Sequence, residues 1–166
     1  MPIPASDFDL VWSIWVLEHV PGPEQALSEM RRVVKNGGTL FLDPAWECDT
    51  YLAQGYPVRP FSDFGLRGKL TKAGMTFRLN VPFYHAVQTT QRLALSTRRW
   101  SGPTKLHYVP LEANYDHYWM ADSDAVNGLD RYEMSLWFTS RGDECLNCDG
   151  RFFAREGPLI IRVHKQ

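Results

Sequence analysis

The sequence lacks the features that direct a chain to a membrane, to nucleic acid or to secretion. Its apolar runs are far shorter than the roughly 20 residues that a helix needs to span a bilayer. Its 18 basic and 19 acidic residues leave a net charge of −1, so no general attraction to nucleic acid or to an anionic membrane is expected. No basic segment followed by an apolar one opens the chain, so secretion is not indicated. We therefore expect a cytoplasmic protein with no membrane span and no nucleic-acid partner.

Cysteine is also scarce, with three in the whole chain. Cys145 and Cys148 have the C-x-x-C spacing of a zinc or redox pair. A structural zinc site needs four ligands, however, and only Cys48 and scattered histidines remain. No thioredoxin-like context surrounds the pair, which disfavours a redox role. We interpret the cysteines as incidental and predict no metal site, with a zinc-binding module as a minor alternative.

What the sequence contains is typical of one soluble globular domain over residues 1–166. The hydrophobic fraction is 44% and the charged fraction 22%, both ordinary values. Aromatic residues make up 13% of the chain and include six tryptophans. That content predicts a well-filled core or an aromatic-lined pocket.

Residues 1–45 have the pattern of a strand, an amphipathic helix and a second strand. The apolar run at 8–13 is typical of a buried parallel strand. Pro23 suits the first turn of a helix, and the residues that follow form an apolar stripe at helical spacing. The glycines within residues 36–38 predict a left-handed helix stop, and residues 39–43 predict the second strand. A right-handed βαβ crossover is expected.

The rest of the chain is less regular. Residues 46–104 form a variable segment, assigned to a substrate site or lid, with helices predicted within 61–72 and over 86–99. Residues 105–166 are expected to supply the final strands and a helix.

Within that last part, a strand is predicted over 105–111, although Pro110 favours an edge or an end. Asp130 and Glu133 have the spacing of a capping box. The helix that follows, over 132–140, carries apolar residues around much of its surface and is expected to be buried on several sides. Residues 158–163 predict a closing strand.

Four N-terminal segments form one pattern when they are taken together. They are Phe8-Asp9-Leu10-Val11, Val16-Leu17-Glu18-His19-Val20, Ala26-Leu27-Ser28-Glu29-Met30-Arg31-Arg32-Val33 and Lys35-Asn36-Gly37-Gly38. Together they resemble class I S-adenosylmethionine-dependent methyltransferases of the type 11 group, with Val34 and Asn36 where leucine and proline are usual. The resemblance is specific over residues 6–44, and residues 158–165 look like the family's last strand. It implies an α/β fold with a Rossmann-like methyltransferase sheet, and methyl transfer from S-adenosylmethionine to a small-molecule acceptor.

The resemblance also implies where the cofactor binds. Ligands of open α/β sheets lie at the carboxyl ends of the strands. The cofactor-binding residues implied there are Ser13, Ile14, Trp15, Glu18 and His19. Trp15 can offer a ring face to the sulfonium. His19 is a candidate general base for a substrate hydroxyl or amine, or else a capping or packing residue. For Glu18, a charge at a helix start is an equal alternative to a cofactor contact.

No G-x-G-x-x-G motif occurs in the sequence. In the family, the glycine-rich loop and the acidic residue that holds the ribose precede the segment seen here. The expectation is therefore a fragment whose sheet is incomplete at its N-terminal half. The first strand would then keep an open edge, through which the chain can self-associate.

Two functions follow from these observations. The first is methyl transfer by the carboxyl-terminal part of a type 11 methyltransferase. The alternative is a non-catalytic truncated remnant, or a partner-dependent half of a split methyltransferase. Separately, Asp116, Asp122 and Asp124 form an acidic cluster that either binds a cationic substrate or a metal, or belongs to a solvated loop, which is the favoured interpretation.

Overall fold

The computed structural model describes residues 3–46, 48–78, 90, 92–94, 97, 102–148 and 157–165. Its strands are β1 Phe8–Ile14, β2 Val34–Asp43, β3 Val109–Pro110, β4 Asn127–Gly128, β5 Glu144–Cys145 and β6 Leu159–Arg162. Its α-helices are α1 Pro23–Val33, α2 Thr50–Ala53, α3 Leu66–Arg78 and α4 Arg131–Thr139. Two short 3-10 turns lie at Leu17–His19 and Phe61–Asp63.

The main sheet has four strands in the order β1-β2-β6-β5. β1 and β2 are parallel and joined by α1, which confirms the predicted strand–helix–strand unit. β6 runs antiparallel to both β2 and β5. The result is a mixed α/β fold that is consistent with a Rossmann-like methyltransferase sheet; its incompleteness stays a prediction. β3 and β4 form a separate two-stranded ladder.

Helix α1 begins at Pro23 as predicted, but the predicted glycine stop is wrong. The helix ends at Val33, and Val34 is already extended, with φ −71° and ψ 146°. Gly37, at φ +79°, lies inside β2, where the register with β1 shifts between Phe8 and Leu10. Between the pairs Phe8–Val34 and Leu10–Thr39, β2 advances five residues and β1 two, so the glycines lie in a β-bulge that Gly37 enters with a left-handed backbone. At Gly38 a Cβ atom would approach the carbonyl oxygen of Asp9 to 2.9 Å.

The core lies between one face of the sheet and the helices α1 and α4. Its completely buried members are, among others, Leu27, Val34, Leu40, Leu42, Met134, Phe138, Leu159, Ile161 and Val163. Asp130 caps α4 by accepting a hydrogen bond from the Glu133 N–H at 2.9 Å. The cap and the burial of α4 on several sides are both as predicted.

The opposite face of the sheet carries an apolar row that is only partly covered. Trp12 of β1 aligns with Phe41 of β2, which aligns with Ile160 of β6. The Trp12 side chain is 66% exposed, and its β1 neighbours Leu10 and Ile14 are exposed as well. Within the described residues, β1 pairs with β2 alone, so its other edge has no strand partner.

The middle of the chain is more helical than the sequence indicates. The predicted helix within 61–72 is present as a 3-10 turn followed by α3, which continues to Arg78. The predicted helix over 86–99 lies mostly outside the described residues, although the described ones among them are helical. The strand predicted over 105–111 is reduced to the two residues of β3. No helix in the described part of the chain is long and apolar enough to cross a membrane.

Candidate functional site

The structure places the five predicted cofactor-binding residues on one continuous segment at the carboxyl end of β1. Ser13 is buried and Ile14 is exposed at the end of the strand. Trp15 follows with a left-handed backbone, φ +50°, and its N–H donates to the Asp43 carbonyl at 2.9 Å. Its side chain is 70% exposed, so one ring face is free to meet a ligand. A tryptophan in this conformation is strained, as residues at functional sites often are.

The 3-10 turn Leu17–His19 is held by residues that lie more than a hundred positions away. The side-chain amide of Asn127 donates to the carbonyls of Leu17, at 3.1 Å, and Val20, at 2.7 Å. The Val126 N–H donates to the Glu18 carbonyl at 2.9 Å. Asn127 is completely buried, so these bonds form in a setting where their loss is costly. They bring the loop around residues 122–127 against the turn.

This contact assembles a group of four side chains, in which three carboxylates surround His19. Its Nε2 lies 3.7 Å from Oε1 of Glu18 and 4.0 Å from Oδ1 of Asp122. On the other side of the ring, Nδ1 lies 3.4 Å from the backbone carbonyl of Asp124 and 3.8 Å from its carboxylate. The predicted acidic cluster thus divides: Asp122 and Asp124 face His19, whereas Asp116 is an exposed residue of the preceding turn. Asp122 and Asp124 also lie in a turn and are 35% and 30% exposed, so the solvated-loop interpretation stays a prediction.

Glu18 is the unusual member of the group. Its side chain is 0% exposed, and among the described residues no donor meets the distance and angle of a hydrogen bond at either carboxylate oxygen. Burial raises the pKa of this carboxyl, while the backbone N–H groups of Glu18 and Ala45, which approach it without that full geometry, and the neighbouring His19 act in the opposite direction. The folded state therefore binds the Glu18 proton more tightly than the unfolded state. That contribution to stability is present at acid pH and is lost as the pH rises through the folded pKa.

The free cysteine lies in the same electrostatic environment. Burial raises the pKa of Cys48 to about 12, and the charges of Asp122, Glu18 and Asp124 add to the effect. A thiol with so high a pKa stays protonated at neutral pH and is a poor nucleophile. Cys48 is therefore not a candidate catalytic residue.

The interpretation of all three cysteines as incidental is wrong for two of them. Cys145 and Cys148 form a disulfide with their Cα atoms 5.6 Å apart. The bond closes the turn after β5, where the Asn147 side chain donates to the Pro158 carbonyl and accepts from the Ile160 N–H. The turn over residues 145–148 is thus fixed covalently and by hydrogen bonds. In this state neither sulfur is a thiolate available to bind zinc.

A polar cavity of about 440 Å³ lies beside the loop that carries the acidic residues. Its walls are Gln54, Arg59, residues 113–117 and Trp119. The Arg59 guanidinium lies 5.0 Å from the Trp119 ring centroid and 4.6 Å from that of Phe64. The volume suits a small molecule. Its lining comes from the variable segment 46–104 and from the loop that precedes Asp122.

Sequence reasoning found His19 and the acidic residues separately but did not join them. Asp122 and His19 are 103 positions apart, and no motif links them. Asn127, which creates the contact, was missed altogether. The available signal was weak: a polar residue between Val126 and Gly128 in a short strand.

The comparisons with known proteins bear on the N-terminal segment. The family model described as "Methyltransferase domain" matches residues 1–42, which include β1, the site turn, α1 and most of β2. This match confirms the resemblance to type 11 methyltransferases. The family generally binds S-adenosylmethionine. No curated protein and no solved structure matches the chain.

Proposed function

We propose that this protein transfers a methyl group from S-adenosylmethionine to a small-molecule acceptor in the cytoplasm. The observation that carries the proposal is the family match over residues 1–42, which coincides with a folded βαβ unit in which the Ser13–His19 segment connects β1 towards α1. The parallel strands β1 and β2 end together, and ligands of such sheets bind at that edge.

The described residues fit the methionine half of the cofactor. The exposed Trp15 ring suits the sulfonium through a cation–π contact, and the carboxylates around His19 suit its positively charged amino group. When bound, the cofactor supplies an electrophilic methyl group. The protein's own contribution is to hold the acceptor atom in line with that group, which can supply a large part of the rate enhancement.

His19 is the residue proposed to take up a proton from the acceptor. Its ring is one-third exposed, and Nε2 lies on the side of Glu18 and Asp122. The acceptor is proposed to bind in the cavity lined by Arg59 and Trp119, because that cavity is formed by the loop leading to Asp122. Its polar lining favours a polar metabolite.

Calorimetric titration of the purified chain with S-adenosylmethionine and with S-adenosylhomocysteine tests the proposal. Saturable binding of either compound is expected. Its absence for both, at protein concentrations of about 100 µM, would contradict an autonomous methyltransferase.

Replacement of Trp15 by alanine is expected to weaken S-adenosylmethionine binding by about 2- to 30-fold, the range of a cation–π contact of about 0.5–2 kcal/mol. S-adenosylhomocysteine has no charge on sulfur, so its affinity should change less. Trp12→Ala is the matched control, because Trp12 is as exposed as Trp15 but lies in the middle of β1. An equal loss for both ligands, or a similar loss in Trp12→Ala, would argue against the contact.

A second candidate function is favoured by the apolar row Trp12–Phe41–Ile160 and by the unpaired edge of β1 within the described residues. It is a partner-dependent, non-catalytic role in which a second copy of the chain adds across β1. Exposed apolar strand edges favour such pairing.

Trp12→Lys tests this second candidate, since a lysine on an edge strand opposes strand addition. Sedimentation velocity between about 5 and 200 µM is expected to show a concentration-dependent dimer for the wild type and a monomer for the variant. Leu66→Lys places the same charge on an exposed leucine of α3 and should leave the dimer unchanged. A wild-type chain that stays monomeric throughout would rule out self-association.

A further inference from the structure

We propose that Glu18, His19 and Asp122 form a binding site for a divalent transition-metal cation. One ligand atom from each residue lies within 4.8 Å of the other two. Metal–oxygen and metal–nitrogen bonds are about 2.0–2.4 Å long, so two atoms on one ion are separated by at most about twice that length. The 3.7 and 4.0 Å separations around His19 Nε2 satisfy this limit. The proposal does not rest on methyl transfer.

Glu18 supplies the independent reason to expect a ligand. A carboxylate that is 0% exposed normally accepts several hydrogen bonds, and within the described part of the chain no donor meets full hydrogen-bond geometry at either oxygen of Glu18. Among the described residues, the side chain of opposite charge that lies beside it is that of His19, at 3.7 Å. Oε1 points into the space that it shares with His19 and Asp122. A cation in that space would satisfy both the charge and the free lone pairs of the carboxylate.

The orientation of His19 is that of a metal ligand. With a hydrogen on Nδ1, the ring donates to the Asp124 carbonyl oxygen, 3.4 Å away. Nε2 then carries the lone pair, on the side of Glu18 and Asp122. Protein ligands to metals commonly show this arrangement, in which a hydrogen bond from the second ring nitrogen fixes the ring and its tautomer. Asp124 is thus a positioning residue.

The ligand set indicates the class of cation. An imidazole nitrogen suits zinc, copper, iron and nickel better than the hard cations magnesium and calcium, and the two carboxylates of the set also suit manganese. Two carboxylates neutralise a charge of +2, which makes the occupied site electrically balanced. Mn²⁺ and Zn²⁺ are therefore suitable probes.

The competing explanation is an internal ion pair, in which a protonated His19 alone compensates Glu18 and Asp122. The two explanations differ in one measurable respect. A closed ion pair has no affinity for added metal, whereas an open ligand set binds one ion per chain with saturation.

The test uses the full chain, treated with a chelator and dialysed, and titrated with Mn²⁺ followed by electron paramagnetic resonance and with Zn²⁺ followed by calorimetry. One ion of each metal per chain is expected. Glu18→Gln and His19→Gln should each weaken binding by at least about tenfold, since even the loss of a group that only orients a ligand costs about 10–100-fold. Asp122→Asn should do the same, and asparagine tolerates the left-handed backbone at that position, φ +57°.

Asp116→Asn is the matched control, because it removes one exposed negative charge from the same loop without touching the group. Its Mn²⁺ affinity should equal that of the wild type. Circular dichroism of the metal-free variants establishes whether each is folded. If Glu18→Gln does not fold, the metal affinity of Asp122→Asn tests the site instead.

Four results would overturn the proposal: no saturable Mn²⁺ or Zn²⁺ binding below about 1 mM, unchanged affinity in folded Glu18→Gln, an equal loss in Asp116→Asn, or binding of Mg²⁺ and Ca²⁺ alone. None of them depends on S-adenosylmethionine. Failure of the metal site and failure of the methyltransferase proposal are therefore distinguishable, although both involve Glu18 and His19.

Discussion

Replacement of Trp137 by alanine is expected to lower the free energy of unfolding by about 3–5 kcal/mol, the usual cost of truncating a buried tryptophan. Trp137 is 1% exposed and makes an edge contact with Phe138, with ring centroids 4.8 Å apart. Its indole N–H donates to Glu24 Oε1 at 2.8 Å. The Arg141 guanidinium lies 3.8 Å from the ring centroid. The side chain thus links α4 to α1, and alanine would leave a cavity and remove one hydrogen bond from Glu24, whose carboxylate keeps its pair with Arg141 at 3.6 Å.

Urea denaturation monitored by circular dichroism measures the change. The matched control is Trp12→Ala, which removes the same side chain from a position that is 66% exposed. Surface substitutions away from special contacts usually change stability by less than about 0.5 kcal/mol. Trp137→Phe keeps most of the packing but loses the indole donor. Its loss in free energy of unfolding should therefore lie between the losses of the two alanine variants. A loss below about 1 kcal/mol in Trp137→Ala would contradict the assignment of α4 to the core.

The sequence predicts best those features that depend on neighbouring residues. The strand–helix–strand unit is correct because apolar spacing and a first-turn proline at Pro23 are local signals. The Asp130 cap is correct for the same reason, since donor and acceptor are three residues apart. The position of the family match agrees with this part of the chain.

Features that depend on tertiary context were misread. Glycines at 37 and 38 fit a helix stop and a β-bulge equally well, and the burial of Val34 in the sheet decides for the bulge. Whether Cys145 and Cys148 bond depends on the turn geometry between β5 and β6. C-x-x-C spacing alone does not define that geometry.

The candidate site combines a part that the sequence predicts with a part that it does not predict. The segment from Ser13 to His19 follows from the resemblance and from the position of a strand end. Its surroundings do not, because Asn127 must first close a contact over more than a hundred residues. Only then do Asp122 and Asp124 face His19. The chemistry of the group is therefore a property of the fold, and no local motif carries it.

The second large effect is expected at Asp143, whose side chain is 0% exposed. Its carboxylate accepts two hydrogen bonds from Arg31 of α1, at 2.7 Å from Nε and 3.1 Å from Nη2. It also accepts one from the His164 N–H at 2.9 Å. Three segments that are far apart in the chain meet at this carboxylate. Sequence reasoning gave no role to Asp143.

Asp143→Asn is expected to destabilise the fold by about 2–3 kcal/mol, somewhat less than the 3–5 kcal/mol for breaking a fully buried pair, because the Arg31 side chain is 24% exposed. The variant keeps the shape of the side chain but leaves the Arg31 guanidinium without its counter-charge. Chemical denaturation in low salt measures the loss. Glu144→Gln is the control, because its pair with Arg162 is about half exposed on both sides and such pairs contribute at most about 1 kcal/mol.

A double-mutant cycle separates the energy of the Arg31–Asp143 ion pair from the other effects of the Asp143→Asn substitution. If the pair carries the effect, Arg31→Met combined with Asp143→Asn should cost less than the sum of the single changes, with a coupling energy between about 0.5 and 3 kcal/mol. Strict additivity would place the contribution of Asp143 in its bond to the His164 N–H instead. That outcome would also predict that the loss of stability depends little on salt concentration. Ions screen a partly exposed ion pair, but they do not screen a hydrogen bond to a neutral backbone N–H in the same way.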